Sequence, residues 1–529
     1  MRTHTIILIF FLVKILFAQN IDSVYQHFIT NVSKTNNGIN KCGFGIISTL
    51  RNNYEKLTNV EKKELHKFLF RPQLQTYVDA INGKFRIHYD TAGVNAPNYS
   101  IDELVSSLDT VYSVEFEKAN FPLPPADFNN NGGSNAYDIY ILNLSNYYGY
   151  TTPEDVISSQ DSTYTSFIEI NSDFTGFYTE GINAAKVTLA HELHHAVQIG
   201  NYKMRLSDLY FYELTSTSME EFVFPYVNDY LEYTSEFFRN TYKAFPDHSG
   251  YDLAIWNLFL VEEFGFPILI TQWENLRNMR AAFAIKNSIE GEGVSFLNVF
   301  KEFGKRIFFT SYRTSIRKYF DDAVSFPIAK NLLTINFPPS YTKEFSLPPF
   351  SLAFVSATSP EDSINFMIAN GNLDNLFPAP YQLTDYGVAF YNNSTEGENS
   401  LADKYSFDFA SSDNYSAYQI FINNDFTFST QGKIDFVYPQ PFVVNKHNKL
   451  FIPLKTNYSE VKIALYSTDM SLVKEFRKNP ITSSGLIEIE NKELNIPTGI
   501  YIFIISHNGT IEKGKLAVIN NKWAIVLLR

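Results

Sequence analysis

The sequence predicts an α+β domain followed by all-β, sandwich-like modules. Three observations predict it. Before about residue 330, β-type runs such as KFRIHYD (84–90) alternate with helical patterns such as VTLAHELHHAVQIG (187–200). From NFPPS (336–340) onward, short β-type runs are separated by Pro, Asn, Asp and Ser. The length, 529 residues, exceeds what one core can serve, and 45% hydrophobic with 16% aromatic content can fill several.

Taken in order, residues 1–18 carry Arg2, an apolar run from Ile6 to Phe17 and a closing Ala18. That is the layout of a secretory signal peptide. The run is short for a span and Lys14 interrupts it, so the expectation is an exported chain, passing through the periplasm, with no transmembrane anchor after cleavage. Residues 19–80 form a helical segment, either a removable propeptide or part of the unit that follows. Within it, Thr58 and Glu61 make a capping-box pattern ahead of Leu65, Phe68 and Leu69.

Residues 81–330 form the α+β unit. Its strands are expected at KFRIHYD, at the alternating Tyr137, Ile139 and Ile141, and at TSFIEI (165–170), ahead of a helical, aromatic-rich stretch from 205 to about 325. Residues 331–433 read as a β-rich accessory module and 434–529 as a second one, with KIALYS, IYIFIIS and KLAVIN as strands. The net charge of −13 argues against a nucleic-acid partner. Cys42 is the sole cysteine, so no internal disulfide forms.

The helix at 187–200 poses the chemical question, because it sets polar residues in an apolar frame. Residues four apart on a helix lie about 40° apart around its axis. His191 and His195 therefore project from one face, and both imidazoles can reach one Zn2+ ion. Glu192 lies beside that face, where its carboxylate serves as general base toward a metal-activated water. His194 sits off the face and is expected to be structural or to support a ligand from behind.

A catalytic zinc needs a third protein ligand and one open position. Gln198 and Asn201 stand where a Gly and a His would extend the motif to a third histidine, so that arrangement is out. A following helix, DLYFYELTSTSMEEFVFPY, offers Glu213 in an apolar setting. Glu220, two turns on, either holds a ligand from behind or is the fallback ligand, and Glu221 is expected to be solvated. Tyr212, His248 and Tyr251 are the candidates for stabilising an oxyanion. Cys42, in KCGFG, is either a zinc-ligating thiolate that holds an enzyme latent or a small buried hydrophobe. DFNNNGGSNAYD (127–138) offers oxygen ligands for Ca2+, although a plain turn explains it as well.

HExxH with a downstream Glu resembles the gluzincins, the thermolysin-like zinc metallopeptidases. CGFG, FRIHYDTAG, NGGSNAYDIYIL, AHELHHAVQ and YELTSTSMEE resemble more closely a group of secreted bacterial metalloproteases with a myxobacterial prototype, over roughly residues 42–275. The resemblance implies a zincin-like fold, zinc on His191, His195 and Glu213, Glu192 as base, and a protein or peptide substrate hydrolysed as by an endopeptidase. Relatives place Gly after the ligand Glu and Trp later in that helix. Here Leu214 and Ser218 stand there. That departure motivates a rival expectation, a cell-surface binding protein with a degenerate or structural zinc site. A structural site is closed by four protein ligands, whereas a catalytic one keeps a water.

The block at about 434–520 resembles the C-terminal sorting domain of the type IX secretion system of Bacteroidota. The resemblance rests on YPQPF, KIALYS, TGIY and GKLAVI. It implies the type IX machinery as a partner and an outer-surface or secreted location.

Overall fold

The computed structural model describes residues 21–33, 38–81, 83–127, 131–315, 317–336 and, in segments, much of 340–520. The expected signal peptide and the apolar tail NKWAIVLLR lie outside the described residues. The chain is a mixed helix-and-sheet protein that divides into two compact units. The first comprises Met1–Asn240, Phe245–Val299 and Phe320–Pro327, and the second Thr241–Ala244, Phe300–Tyr319 and Ile328–Arg529.

The first unit opens with helix α1 (Ile21–Ser33), strand β1 (Asn40–Cys42) and helices α2 (Phe44–Asn52) and α3 (Asn59–Leu69). The α3 capping box is present, with Thr58 Oγ1 accepting from Glu61 N and Glu61 Oε2 accepting from Thr58 N. Next come β2 (Thr76–Ala80), β3 (Phe85–Tyr89) and α4 (Ile101–Val111), which runs on as a π-helical turn over Tyr112–Lys118. Then follow β4 (Tyr137–Leu142), β5 (Tyr147–Ser158) and β6 (Thr163–Asn171). The six strands form one sheet in the order β1-β5-β6-β4-β3-β2. β3, β4 and β6 are parallel neighbours, β5 is antiparallel to β6, and β1 adds parallel to the free edge of β5.

Helices α1, α2 and α3 belong to this unit's core. Phe28, Ile47, Leu50 and Leu65 pack with Leu144, Tyr147 and Tyr150 of the sheet. TSFIEI lies in β6, whose two neighbours occupy both of its hydrogen-bonding edges. It therefore has no edge to offer a substrate backbone, and β1 and β2 are the terminal strands.

Helices α5 (Gly181–Asn201) and α6 (Leu209–Val223) pack on each other, and α5 also lies on β5 and β6. α5 is buried from Val187 to Gly200 without a break. A helix covered on all sides has no polar face to spare for its histidines, so their partners must come from neighbouring elements. Helices α7 (Leu231–Arg239), α8 (Ala254–Phe264), α9 (Pro267–Leu276) and α10 (Ala281–Gly291) follow. Among the described residues no single helix is long and apolar enough to cross a membrane.

In the second unit, strands between Leu333 and Asn423 make a five-stranded and a three-stranded sheet. Beyond Val437, a five-stranded and a two-stranded sheet share one core built on Phe442, Leu450, Ile463, Ile487, Phe503 and Leu516.

Candidate metal centre

His191, Glu192, His194 and His195 of α5 each meet a partner, and the partners set where the imidazoles point. His191 Nδ1 lies 2.7 Å from Glu220 Oε1. A carboxylate only accepts, so Nδ1 carries a proton, and Nε2 is the nitrogen whose lone pair is available when the ring is neutral, as it is in a metal ligand. His195 Nδ1 is 2.8 Å from Gln198 Oε1, and Gln198 Nε2 donates to Tyr212 O, Thr215 Oγ1 and Ser216 Oγ at 2.7–3.1 Å. Those three acceptors fix the amide's orientation, so Gln198 presents its oxygen and His195 also keeps a bare Nε2.

The two Nε2 atoms converge at 3.1 Å, and Glu213 Oε2 lies 3.2 Å from the first and 3.4 Å from the second. Two lone pairs and a carboxylate oxygen thus face one point. A tetrahedral ion with bonds of about 2.0–2.1 Å sets its ligands about 3.3–3.4 Å apart. The residues present therefore fit a metal ion. Cys42 joins the group: its sulfur and the three other donor atoms all lie within 4.8 Å of one another.

Electrostatics tell the same story for the metal-free chain. Burial disfavours charge on His191, but the hydrogen bonds to Glu213 and Glu220 outweigh it and raise the imidazole to about 9. Burial would raise Glu213, yet the His195 and His191 imidazoles hold it at about 2. Burial pushes the Cys42 thiol well up, and Glu192 and Glu213 add to that.

Glu192 is fully buried, and its Oε2 accepts from Thr151 Oγ1 at 2.8 Å. Its Oε1 has no hydrogen-bond partner among the described residues. Burial raises this carboxyl, while His191 and His195 pull it back. Gly149 faces this carboxylate, and a Cβ there would sit 2.7 Å from Glu169 O and 3.1 Å from Glu192 Cγ. Only glycine lets β5 pass so close.

The structure brings His191, Glu192, His195, Glu213 and Cys42 together. Glu220 is not at the ligand position. It stands behind His191, and its other oxygen accepts from the buried Lys41 Nζ at 2.8 Å. Tyr212 donates its hydroxyl to Lys203 O and accepts from Arg205 N, so its donor is spent on the backbone and cannot serve an oxyanion. His248 pairs with Asp252 at 2.6 Å and its ring lies against Phe237 and Phe245. Tyr251 stacks over His191 with ring centroids 6.1 Å apart. Glu221 is half-buried, not solvated, and burial together with Asp322 and Glu220 raises it to about 9.

His194 turns away from the convergence point and pairs with Glu115 at 2.7 Å. The 127–138 loop is tied by arginines. Arg71 pairs with Asp127 and Asp138 and donates to Asn131 O, and Arg86 donates to Gly132 O. Guanidinium groups thus take the oxygens that a calcium ion would need.

Several functional neighbours escaped the sequence reading. Gln198, three residues past His195 on one helix face, was findable from that spacing. Lys41, which holds Glu220, and Thr151, which holds Glu192, were not, because they reach the site only through tertiary packing.

No known family model matches this chain, and no curated protein matches it. Among solved structures it shows a likeness to pullulanase from Bacillus acidopullulyticus, at 9% sequence identity and a TM-score of 0.11, over 33% of this chain and 24% of that one. The match spans about a quarter of that chain, and a likeness at this level carries no argument about fold or activity.

Proposed function

We propose that this chain is a zinc-dependent peptidase of the gluzincin type, with a zincin-like first unit. The observation that carries the reading is the convergence of His191 Nε2, His195 Nε2 and Glu213 Oε2 at 3.1–3.4 Å, beside a buried Glu192 with one unpartnered oxygen. Two imidazole nitrogens and a carboxylate oxygen suit zinc, a borderline-soft ion.

A zinc ion held there would polarise a peptide carbonyl and make water acidic enough to lose a proton near neutral pH. Glu192 takes that proton on Oε1, while Thr151 holds Oε2 in place. Its raised pKa suits the task, because a base must also release the proton, here to the leaving amine. Glu220 and Gln198 hold the two histidines in the ligating tautomer. Of the three oxyanion candidates, Tyr251 is the one stacked on a ligand.

The export signal and the sorting-domain resemblance support secretion or surface display by the type IX route. The separate core at the C-terminal end supports an independent module there.

The test is metal content and turnover of the purified protein. Wild type should hold about one zinc per chain, His195→Ala none, and Glu192→Gln should keep zinc while losing cleavage of a denatured protein substrate. Retained cleavage by Glu192→Gln would sink the mechanism. One observation favours a second reading, a structural site in a surface binding protein: Cys42 supplies a fourth donor.

A further inference from the structure

A hydrolytic metal site needs three protein donors and one open position. Cys42 is the donor it does not need. The segment that carries this thiol is fastened to the centre at successive residues. Lys41 Nζ pairs with Glu220 and with Asp229, both buried. Cys42 lies opposite Gly149 in the β1–β5 ladder, and its sulfur accepts from Phe44 N at 3.2 Å. Gly43 N donates to Gly149 O at 3.0 Å, and a Cβ at Gly43 would sit 2.9 Å from the Tyr150 ring. Phe44 stacks on the ligand His195, with centroids 4.2 Å apart and planes 17° apart. KCGFG is thus fitted around the metal centre.

A second observation separates this from a plain structural site. Glu192 is fully buried, its Oε1 has no partner among the described residues, and the two ligand imidazoles and the Cys42 thiol all lie close enough to act on its carboxyl. A closed structural centre has no use for an unpartnered carboxylate oxygen, which carries a desolvation penalty for nothing in return. A centre that exchanges a ligand for water does.

We propose that Cys42 Sγ is the fourth ligand of the metal centre and closes the position that water must take, so that the folded chain is a latent enzyme. The inference rests on the metal-centre reading above. As the metal–sulfur bond forms, the S–H bond breaks and its proton passes to Glu192 Oε1. Withdrawal of β1, a terminal strand of three residues, frees the coordination position and the edge of β5 together, and an extended peptide can add to such an edge.

The experiment loads the full chain, wild type and Cys42→Ser, with Co2+ in place of zinc and records the near-ultraviolet and visible spectrum. Wild type should bind one cobalt and show a thiolate-to-cobalt charge-transfer band. Cys42→Ser should bind one cobalt without that band and should cleave a denatured protein at least about tenfold faster once loaded with zinc. One cobalt without the band in wild type overturns the Cys42 ligand and leaves the metal centre standing. No cobalt in either protein overturns the metal centre, and the inference with it. The band with unchanged cleavage in Cys42→Ser overturns latency. Should Cys42→Ser fail to fold, wild type still decides. Its thiol should react with an aromatic disulfide reagent about tenfold faster after zinc is chelated, and equal rates overturn the ligand.

Discussion

Helix α5 buries two histidine–glutamate associations within one turn, and they behave in opposite ways. At His194 the partner is one carboxyl, Glu115, and both groups are fully buried. Burial pushes Glu115 well above its ordinary range, and burial followed by the neighbouring His195 and His191 pushes His194 well below its own. The pair is neutral. At His191 two carboxylates, Glu213 and Glu220, converge on one ring, and the same burial ends with His191 raised and Glu213 lowered. Depth is equal in the two places. The count of converging acceptors decides whether a buried site demands positive charge.

The sharpest way to break this comparison is the same conservative change on each side. Glu213→Gln removes the negative charge from the convergence point while keeping its shape. Zinc content should fall from about one per chain to near zero, because an amide oxygen is a poor replacement for a carboxylate ligand. Metal analysis after gel filtration checks it, and full retention of zinc would show that the carboxylate is not a ligand.

Proton linkage comes next in size. In the metal-free chain His191 is raised from 6.5 to about 9. The stability it contributes is fully present below about pH 6.5 and is lost as the pH rises through about 9. Glu213, held at about 2, contributes stability that is present above its ordinary value of 4.5 and is lost as the pH falls toward 2. The two shifts describe one ion pair and are counted once. Between pH 6.5 and 9 the metal-free protein should lose up to about 3 kcal/mol, and the zinc-loaded protein should stay flat. Urea unfolding at both pH values, with and without chelator, measures the difference. A flat metal-free profile would show that no proton stands in for the metal.

Gln198→Ala acts from behind a ligand and has a smaller effect. It removes the nearer of two partners of His195 Nδ1 and leaves Ser216 Oγ at 3.2 Å, a hydroxyl that can donate as well as accept, so the ring's tautomer is held less firmly. Zinc affinity should drop about 10–100-fold, with the stoichiometry intact at saturating metal. Competition against a chromophoric chelator reads the change.

How much of this was legible in the sequence follows from the range of the interactions. The His191–His195 relation is local: four residues along a helix dictate a shared face, whatever surrounds it. β3, β4 and β6 were legible because β-formers recur in them at alternate positions with no Gly or Pro between. β5 was not, since Gly149 and Pro153 break its pattern and its ladder with β6 shifts register beyond Pro153. β1, with three residues, is too short to show a period. Its consequences are larger than its length, because the pairing of Cys42 with Gly149 brings Lys41 to Glu220 across 179 positions. No spacing rule reports a contact of that span. The same holds for Glu115, which reaches His194 from a π-helical turn 79 positions away.

The smallest expected effect is the one that completes the comparison. Glu115→Gln replaces a carboxyl that burial keeps protonated with a neutral group of the same shape. An amide N–H can donate to His194 Nδ1 as the acid O–H does, so the hydrogen bond survives the exchange. Each partner also has a second polar atom without a described partner, Glu115 Oε2 and His194 Nε2, and the amide changes one of them. The variant should lose less than about 1 kcal/mol in urea unfolding and keep its zinc at wild-type affinity. A loss comparable to that of breaking a buried ion pair, about 3–5 kcal/mol, would mean that Glu115 is ionised after all. The two glutamates would then differ only in what they face, not in charge, and the convergence argument for His191 and Glu213 would lose its control.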